Sequence, residues 1–380
     1  MTSRVKAIRL FQRRVVPCLG VAVDAGEIRA VRVLANGPGL RVEAAARVNG
    51  PESDTGGAVD QALLAGALRE LAPVVGYDGE PVVSALPGMA VIERIIKVPV
   101  MPAGELASAV RFEAEQHIPV SLDDMILRHV VLGEEQNHER RLRTLVAAVR
   151  RDAVENFQRA FAAAGLTLAA LDLPSLALWR YFCGEGAVGV TGRLAIVNVD
   201  TVVTHCAFTE GERLLYSRTS PGGSRSIGLD RGPPESEDSG SPAGYGTSGV
   251  PGALPNGWRE AAATAAALPD GVEDAYEGAF FAGPLPAGTR SNHGVLVGQL
   301  AGEIKRSLDF FRSTYGNWAP EKVVLSGAGA RWPDLTGLLA DELAMDVGLP
   351  GGIKPAQGDS SVPDPALVTA CGLAMGGVKL

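Results

Sequence analysis

Three stretches of this 380-residue chain share one local design, and together they constrain the fold more than any other feature. Cys18-Leu-Gly-Val-Ala-Val23, Leu194-Ala-Ile-Val-Asn-Val199 and Lys322-Val-Val-Leu325 are short, nearly continuous apolar runs, the pattern of strands buried on both faces. Each run ends on small or polar residues: Val23-Asp-Ala-Gly26, Val197-Asn-Val-Asp-Thr201 and Val324-Leu-Ser-Gly-Ala-Gly-Ala330. Turns of this kind let backbone N–H groups approach a phosphate or nucleoside, although each alone is a weak signal.

The intervening segments complete a mixed α/β pattern. Asp24-Ala-Gly-Glu27 makes a tight turn into Ile28–Leu34, where apolar residues alternate with Arg29 and Arg32, and Leu40–Val48 reads as a third strand. A helix over 59–71 and a strand over 81–86 follow. A second unit opens at Met89 with a strand over 91–98, a helix over 102–117 and a strand over 143–149. Asp152 with Glu155 predicts a capping-box start to a helix that buries Val154, Phe157 and Phe161 and ends at Gly165. Beyond it come a strand over 168–173, a helix opened by Pro174, and a meander over 194–219. Leu296, Leu300, Ile304, Leu308 and Phe311 trace one face of a helix over 295–315. Strands over 322–325 and 346–349 then alternate with helices over 333–345 and 365–372. Asp123-Asp124 and Glu134-Glu135 read as solvated loop charges.

Two segments break this pattern. The first is a leader with Arg4, Lys6, Arg9, Arg13 and Arg14 and no acid among them, which lacks the apolar core of a signal peptide. Residues 4–14 read either as a frayed, solvated leader, since Arg4 and Leu10 fall on the wrong faces of a helix, or as a segment in contact with an anionic membrane surface. In the second, Gly, Pro and Ser fill 16 of the 27 positions of 231–257, and over 231–290 eight acids face three bases. So few apolar groups do not offset the entropy of ordering, and the segment reads as a disordered insert.

Composition excludes several classes. Lys and Arg number 35 against 43 Asp and Glu, a net −8 that argues against bulk nucleic-acid binding. Cys18, Cys183, Cys206 and Cys371 lie far apart, as neither a disulfide scaffold nor a zinc ribbon requires, and no metal-ligand spacing occurs among the five His. The longest uncharged apolar run, 160–171, falls short of the roughly 20 residues of a membrane span.

The chain also carries, in order, Ser84-Ala-Leu-Pro-Gly-Met-Ala-Val-Ile92, Ile95-Ile-Lys-Val-Pro-Val-Met-Pro-Ala-Gly-Glu-Leu106 and Arg111-Phe-Glu-Ala-Glu-Gln-His-Ile-Pro119. Leu145-Val-Ala-Ala-Val-Arg150, Ala164-Gly-Leu166, Leu171-Asp-Leu-Pro-Ser-Leu-Ala-Leu178 and Glu303-Ile-Lys-Arg-Ser-Leu-Asp-Phe-Phe-Arg312 continue the series. With the three turns, these motifs resemble the PilM family, cytoplasmic assembly proteins of type IV pilus machines within the actin-like ATPase superfamily. The resemblance spans most of the chain outside the leader and the insert. It implies a two-lobed α/β fold of the ribonuclease H-like type, with a basic leader at 1–16. Residues 17–86 with 167–190 would form the first lobe, and 87–166 a small α/β subdomain inserted in it. Residues 191–230 with 291–380 would form the second lobe, and 231–290 the acidic Gly/Pro-rich insert.

The same resemblance implies a nucleotide cleft between the lobes and assigns contacts to Asp24, Gly26, Gly327, Gly329, Glu303 and Arg306. Its phosphate positions are altered here. The family follows Asp-x-Gly with a Ser/Thr-rich bend before a basic residue, whereas this chain passes straight from Gly26 to Glu27-Ile28-Arg29. Glu27 brings a negative charge towards a phosphate, a repulsion of several kcal/mol in a partly dry cleft. In the second turn Asn198 stands for the family's Asp and Asp200 for its Gly. An amide neither acts as a carboxylate base nor holds Mg²⁺ as a charged ligand.

The expectation is therefore a scaffold of a type IV pilus, or related secretion or competence, assembly complex, with a degenerate nucleotide site, no catalytic residue, no metal site and no required cofactor, ATP with Mg²⁺ being what an intact site would take. Its implied partners are the cytoplasmic tail of a PilN-like inner-membrane protein and, through it, a PilO-like protein and the assembly ATPase. Its implied place is cytoplasmic, peripheral at the cytoplasmic membrane. The alternatives are an active actin-like ATPase using Asp24 or Asp200, and an FtsA-like membrane-associated filament protein.

Overall fold

The computed structural model describes residues 17–36, 39–53, 57–118, 120–136, 140–184, 192–226, 293–316, 318–350 and 364–377. The basic leader and the acidic insert lie outside the described residues.

The first apolar run forms β1 (Cys18–Asp24), buried throughout, which turns into β2 (Glu27–Asn36) and β3 (Gly39–Asn49). A helix, α1 (Gln61–Val75), crosses to β4 (Val82–Ala85). Asp60 starts α1 by accepting from the amides of Ala62 and Leu63, and Gly76 ends it at φ 66°. The inserted unit follows as β5 (Val91–Pro99), α2 (Ala103–His117), β6 (Met125–Gln136) and β7 (Arg140–Arg150). The chain returns through α3 (Arg151–Ala163) to β8 (Leu168–Asp172) and α4 (Pro174–Cys183).

The second lobe repeats the scheme. A meander of β9 (Arg193–Val199), β10 (Val203–Glu210) and β11 (Arg213–Pro221) precedes α5 (His293–Tyr315) and β12 (Lys322–Ser326). Then come α6 (Leu335–Leu343), β13 (Val347–Gly348) and α7 (Val368–Gly377). The sheets run β3-β2-β1-β4-β8 and β11-β10-β9-β12-β13. In each, a central strand pairs antiparallel with the next strand in sequence and parallel with the strand that follows a crossover. The inserted unit is an antiparallel sheet ordered β5-β7-β6.

The two large sheets face each other across α4 and α7. One core joins Ala177, Leu178 and Phe182 of α4 and Leu373 and Ala374 of α7 to Val31 and Val83 of the first sheet and Ile196 and Val324 of the second. The backbones in this layer nearly touch: a Cβ on Gly372 would lie 2.0 Å from the Ala177 carbonyl oxygen, and one on Gly20 2.0 Å from that of Ala370. The outer face of the first sheet packs under α1 and α3, through Leu64, Leu68, Phe157 and Phe161. That of the second packs under α5 and α6, through Ile304, Leu308, Phe311 and Leu339. Ile96, Val98, Val110 and Ala114 bind α2 to the small sheet.

Four details differ from the sequence reading. The stretch containing Glu134-Glu135 is not a loop but the end of β6, where Glu135 pairs with Lys97 at 2.8 Å and with Arg143 at 3.2 Å. Asp152 does not cap α3; the helix starts at Arg151, and Asp152 binds its neighbour's amide and pairs with Arg150. The helix α3 packs on α1 in the core of the first lobe, although it falls within the range expected for the inserted unit. Likewise α7 lies in the shared layer against β1 and α4.

Candidate functional site

The site is the seam where the ends of β1 and β9 face each other. Only Ala25 and Gly26 connect β1 to β2, with Gly26 at φ 82°. So short a turn pairs Asp24 with Glu27 and Ala22 with Arg29, which sets all four side chains on one face of the sheet. The register therefore brings the Arg29 guanidinium beside the Asp24 carboxylate. In the second lobe the same alternation puts Asn198 and Asp200 on one side of the β9 end. The pairings of β9 with β10 and β12 add His205 and Ser326 next to Asn198.

These residues form one buried polar cluster across the lobes. Arg29, 1% exposed, donates from Nη2 to Asp24 Oδ2 at 2.7 Å and to Asp200 Oδ1 at 3.1 Å. Its Nη1 donates to the Ala366 carbonyl, just before α7, at 2.9 Å. Asp24 also accepts from the amide and hydroxyl of Thr201, at 3.0 and 2.8 Å to Oδ2. Asp200 Oδ2 accepts from Asn198 Nδ2 at 2.7 Å and lies 3.6 Å from His205 Nε2. The side-chain oxygen Oδ1 of Asn198 accepts from the Ser326 hydroxyl, and His205 Nδ1 meets the Thr219 hydroxyl at 2.8 Å.

Burial and charge work against each other here. Burial, reinforced by the Asp24 charge, raises the Asp200 carboxyl to about 7 despite Arg29. Burial lowers the His205 imidazole to about 4, so it is neutral near pH 7. Burial also disfavours the Arg29 cation, but the charges of Asp200, Asp24 and Glu27 outweigh it and raise its pKa.

Glu27 is half-buried at the lip. Arg331 Nη1 lies 3.1 Å from each of its carboxylate oxygens. The same guanidinium grips Asp364 at 2.8 and 2.7 Å, and Arg47 stands within 4.0 Å of both acids. A further tie, Arg225 to Glu52 at 2.7 Å, also runs from the second lobe to the first.

Of the residues singled out in the sequence, Asp24, Asn198 and Asp200 meet in the cluster, with Gly26 and Glu27 at its edge. Gly327, at φ 87°, and Gly329 pack on the end of β9: a Cβ on either would come within 2.6 Å of Val199. Glu303 and Arg306 instead pair with each other, one turn apart on α5. Arg29, His205 and Arg331 were not singled out. The signal for Arg29 was present, because a two-residue turn necessarily brings position 29 back beside position 24.

A magnesium–triphosphate does not fit these residues as they stand. Four amides of the three turns are taken within the chain: Ala25 and Thr201 on Asp24, Gly26 on the Pro51 carbonyl and Gly327 on that of Pro365. The cavity beside Asp24, Arg29, Asp200, His205 and Thr369 measures ≈ 20 Å³, room for about one water. No group of three or more His, Cys, Asp or Glu among the described residues is placed to hold a metal ion.

Comparison with known proteins places this geometry. The family model described as type IV pilus assembly protein PilM matches residues 20–228. Among solved structures, one described as a PilM–PilN type IV pilus biogenesis complex superposes at TM-score 0.70 with 23% identity, over 95% of this chain and 98% of that one. The ethanolamine utilization protein EutJ from Carboxydothermus hydrogenoformans gives TM-score 0.47 and 15% identity, over 96% and 93% of the two chains. The fold is the two-lobed actin-like ATPase fold, and the chain belongs to the PilM family of type IV pilus assembly proteins.

Proposed function

We propose that this chain is a non-catalytic scaffold of a type IV pilus assembly complex. It holds the cytoplasmic tail of a PilN-like membrane protein and, through it, a PilO-like protein and the assembly ATPase. The match of the family model over residues 20–228 carries this reading. The PilM–PilN description of the similar structure supports the choice of partner. No helix among the described residues is long and apolar enough to cross a membrane, so attachment is assigned to the partner tail and to the basic residues 4–14.

The non-catalytic part of the proposal rests on the cleft. The amides of Ala25, Gly26, Thr201 and Gly327 already have acceptors within the chain, and the acids Asp24 and Asp200 stand beside them. Calorimetric titration of the full chain with a PilN-like tail peptide, and separately with ATP with and without Mg²⁺, tests both halves. Binding of the tail with no heat from nucleotide is expected. Tight Mg²⁺-dependent ATP binding overturns the non-catalytic half, and absence of tail binding overturns the scaffold.

A further inference from the structure

The partners of Arg29 belong to different bodies. Asp24 is its neighbour in the first lobe, Asp200 stands at the end of β9 in the second, and the Ala366 carbonyl precedes the helix of the shared layer. Asp24 in turn accepts from Thr201 of the second lobe. One fully buried guanidinium therefore joins three pieces of the molecule at the point where the two lobes meet. Without it, two carboxylates and a carbonyl would face each other in a buried seam, each an acceptor lacking this donor. The planar fork of arginine suits the role, since its donors reach acceptors in several directions at once.

The lip repeats the arrangement. Arg331 of the second lobe holds Glu27 of the first, and Arg225 of the second holds Glu52 of the first. In hinged proteins the charge that draws two lobes together is commonly that of a bound ligand. Here cations of the chain take that place.

We propose that Arg29 is a built-in clamp that keeps the two lobes closed without any ligand, so that the scaffold presents one fixed conformation to its partners. This rests on the reading of the cleft given above. It predicts more than an idle nucleotide site, because closure depends on one named side chain.

Hydrogen exchange of the full-length protein, read by mass spectrometry, tests the clamp. In the wild-type chain, ATP with Mg²⁺ leaves exchange in segments 22–29, 198–204 and 222–226 unchanged. In Arg29→Ala, those segments exchange faster by about tenfold or more, while segment 300–311 of α5 keeps its protection. Guanidinium chloride at low millimolar concentration restores the slow exchange by refilling the vacated position, and sodium chloride at the same concentration does not. Where Arg29→Ala loses protection everywhere, Arg29→Lys decides: it keeps a charge but lacks the fork, and exchanges faster at the seam alone. Wild-type exchange in the variant that folds, equal rescue by sodium chloride, or extra protection of the wild-type seam by ATP each overturns the clamp. A clamp that fails while the tail peptide still binds leaves the scaffold standing. An intact clamp in a chain that binds no tail overturns the function alone.

Discussion

The two large sheets share one strand order but treat a buried base at the seam in opposite ways. Arg29 sits on β2 opposite Ala22, and His205 on β10 opposite Asn198, each close to its first turn. Both are almost completely buried. Arginine keeps its charge in a protein in any case; two carboxylates within 3.1 Å and a third, Glu27, within 3.5 Å raise the pKa of Arg29 further against the effect of burial. His205 lies 3.6 Å from Asp200, which is already bonded to Arg29, and burial lowers its pKa to about 4 against the opposing charge of Asp24. Burial disfavours the charged form in both places; the charges of Asp200, Asp24 and Glu27 outweigh it at Arg29, and the charge of Asp24 does not at His205. One lobe thereby supplies a fixed cation and the other an acid and a neutral ring.

The most severe way to break this contrast is to remove the cation. Arg29→Ala leaves Asp24 and Asp200 buried without their base, and a loss of about 3–5 kcal/mol is expected in chemical denaturation. Gly372→Val attacks the shared layer instead. Its Cβ would meet the Ala177 backbone, and a loss of about 1–3 kcal/mol or more is expected in the same assay. A drop of that size for Gly372→Val with none for Arg29→Ala would mean that packing alone holds the lobes.

The acid and the imidazole can be compared by pH. Asp200 is raised from 3.8 to about 7, so its contribution is fully present below pH 3.8 and is lost as pH rises to about 7. His205 is lowered from 6.5 to about 4, so its contribution is present above pH 6.5 and is lost as pH falls to about 4. Over the shared range of about 4 to 6.5 the two slopes, each at most about 1.4 kcal/mol per pH unit, oppose each other. Asp200→Asn should therefore make stability rise with pH in that window relative to wild type, and His205→Gln should make it fall. Equal profiles for the wild type and both variants would refute the assignment. The smallest effect is expected at Glu303→Ala, which removes a partly exposed pair on α5 and should shift stability by less than about 1 kcal/mol.

Much of the fold was legible because its signals are local. The buried run of β1, the Val154, Phe157 and Phe161 stripe of α3 and the Gly165 stop at φ 78° each depend on a few neighbouring residues. Strand β6 was not legible. Its exposed Val130 and Val131 and its terminal acids break the alternation, and pairing along β7 forms the strand regardless. The start of α3 was misread because Asp152 found a nearer partner in Arg150.

The sequence by itself determined the strands, the three turns, the family and the acids at 24 and 200, since alternation, apolar runs and turn residues act over a few positions. Only the tertiary structure decided what those acids do. The contacts of Asp24 with Thr201 and of Asp200 with Arg29 span 177 and 171 residues of chain, and no local preference encodes them. They arise because two sheets of the same topology close over a shared pair of helices. In that buried seam a carboxylate must find a cation, a donor or a proton.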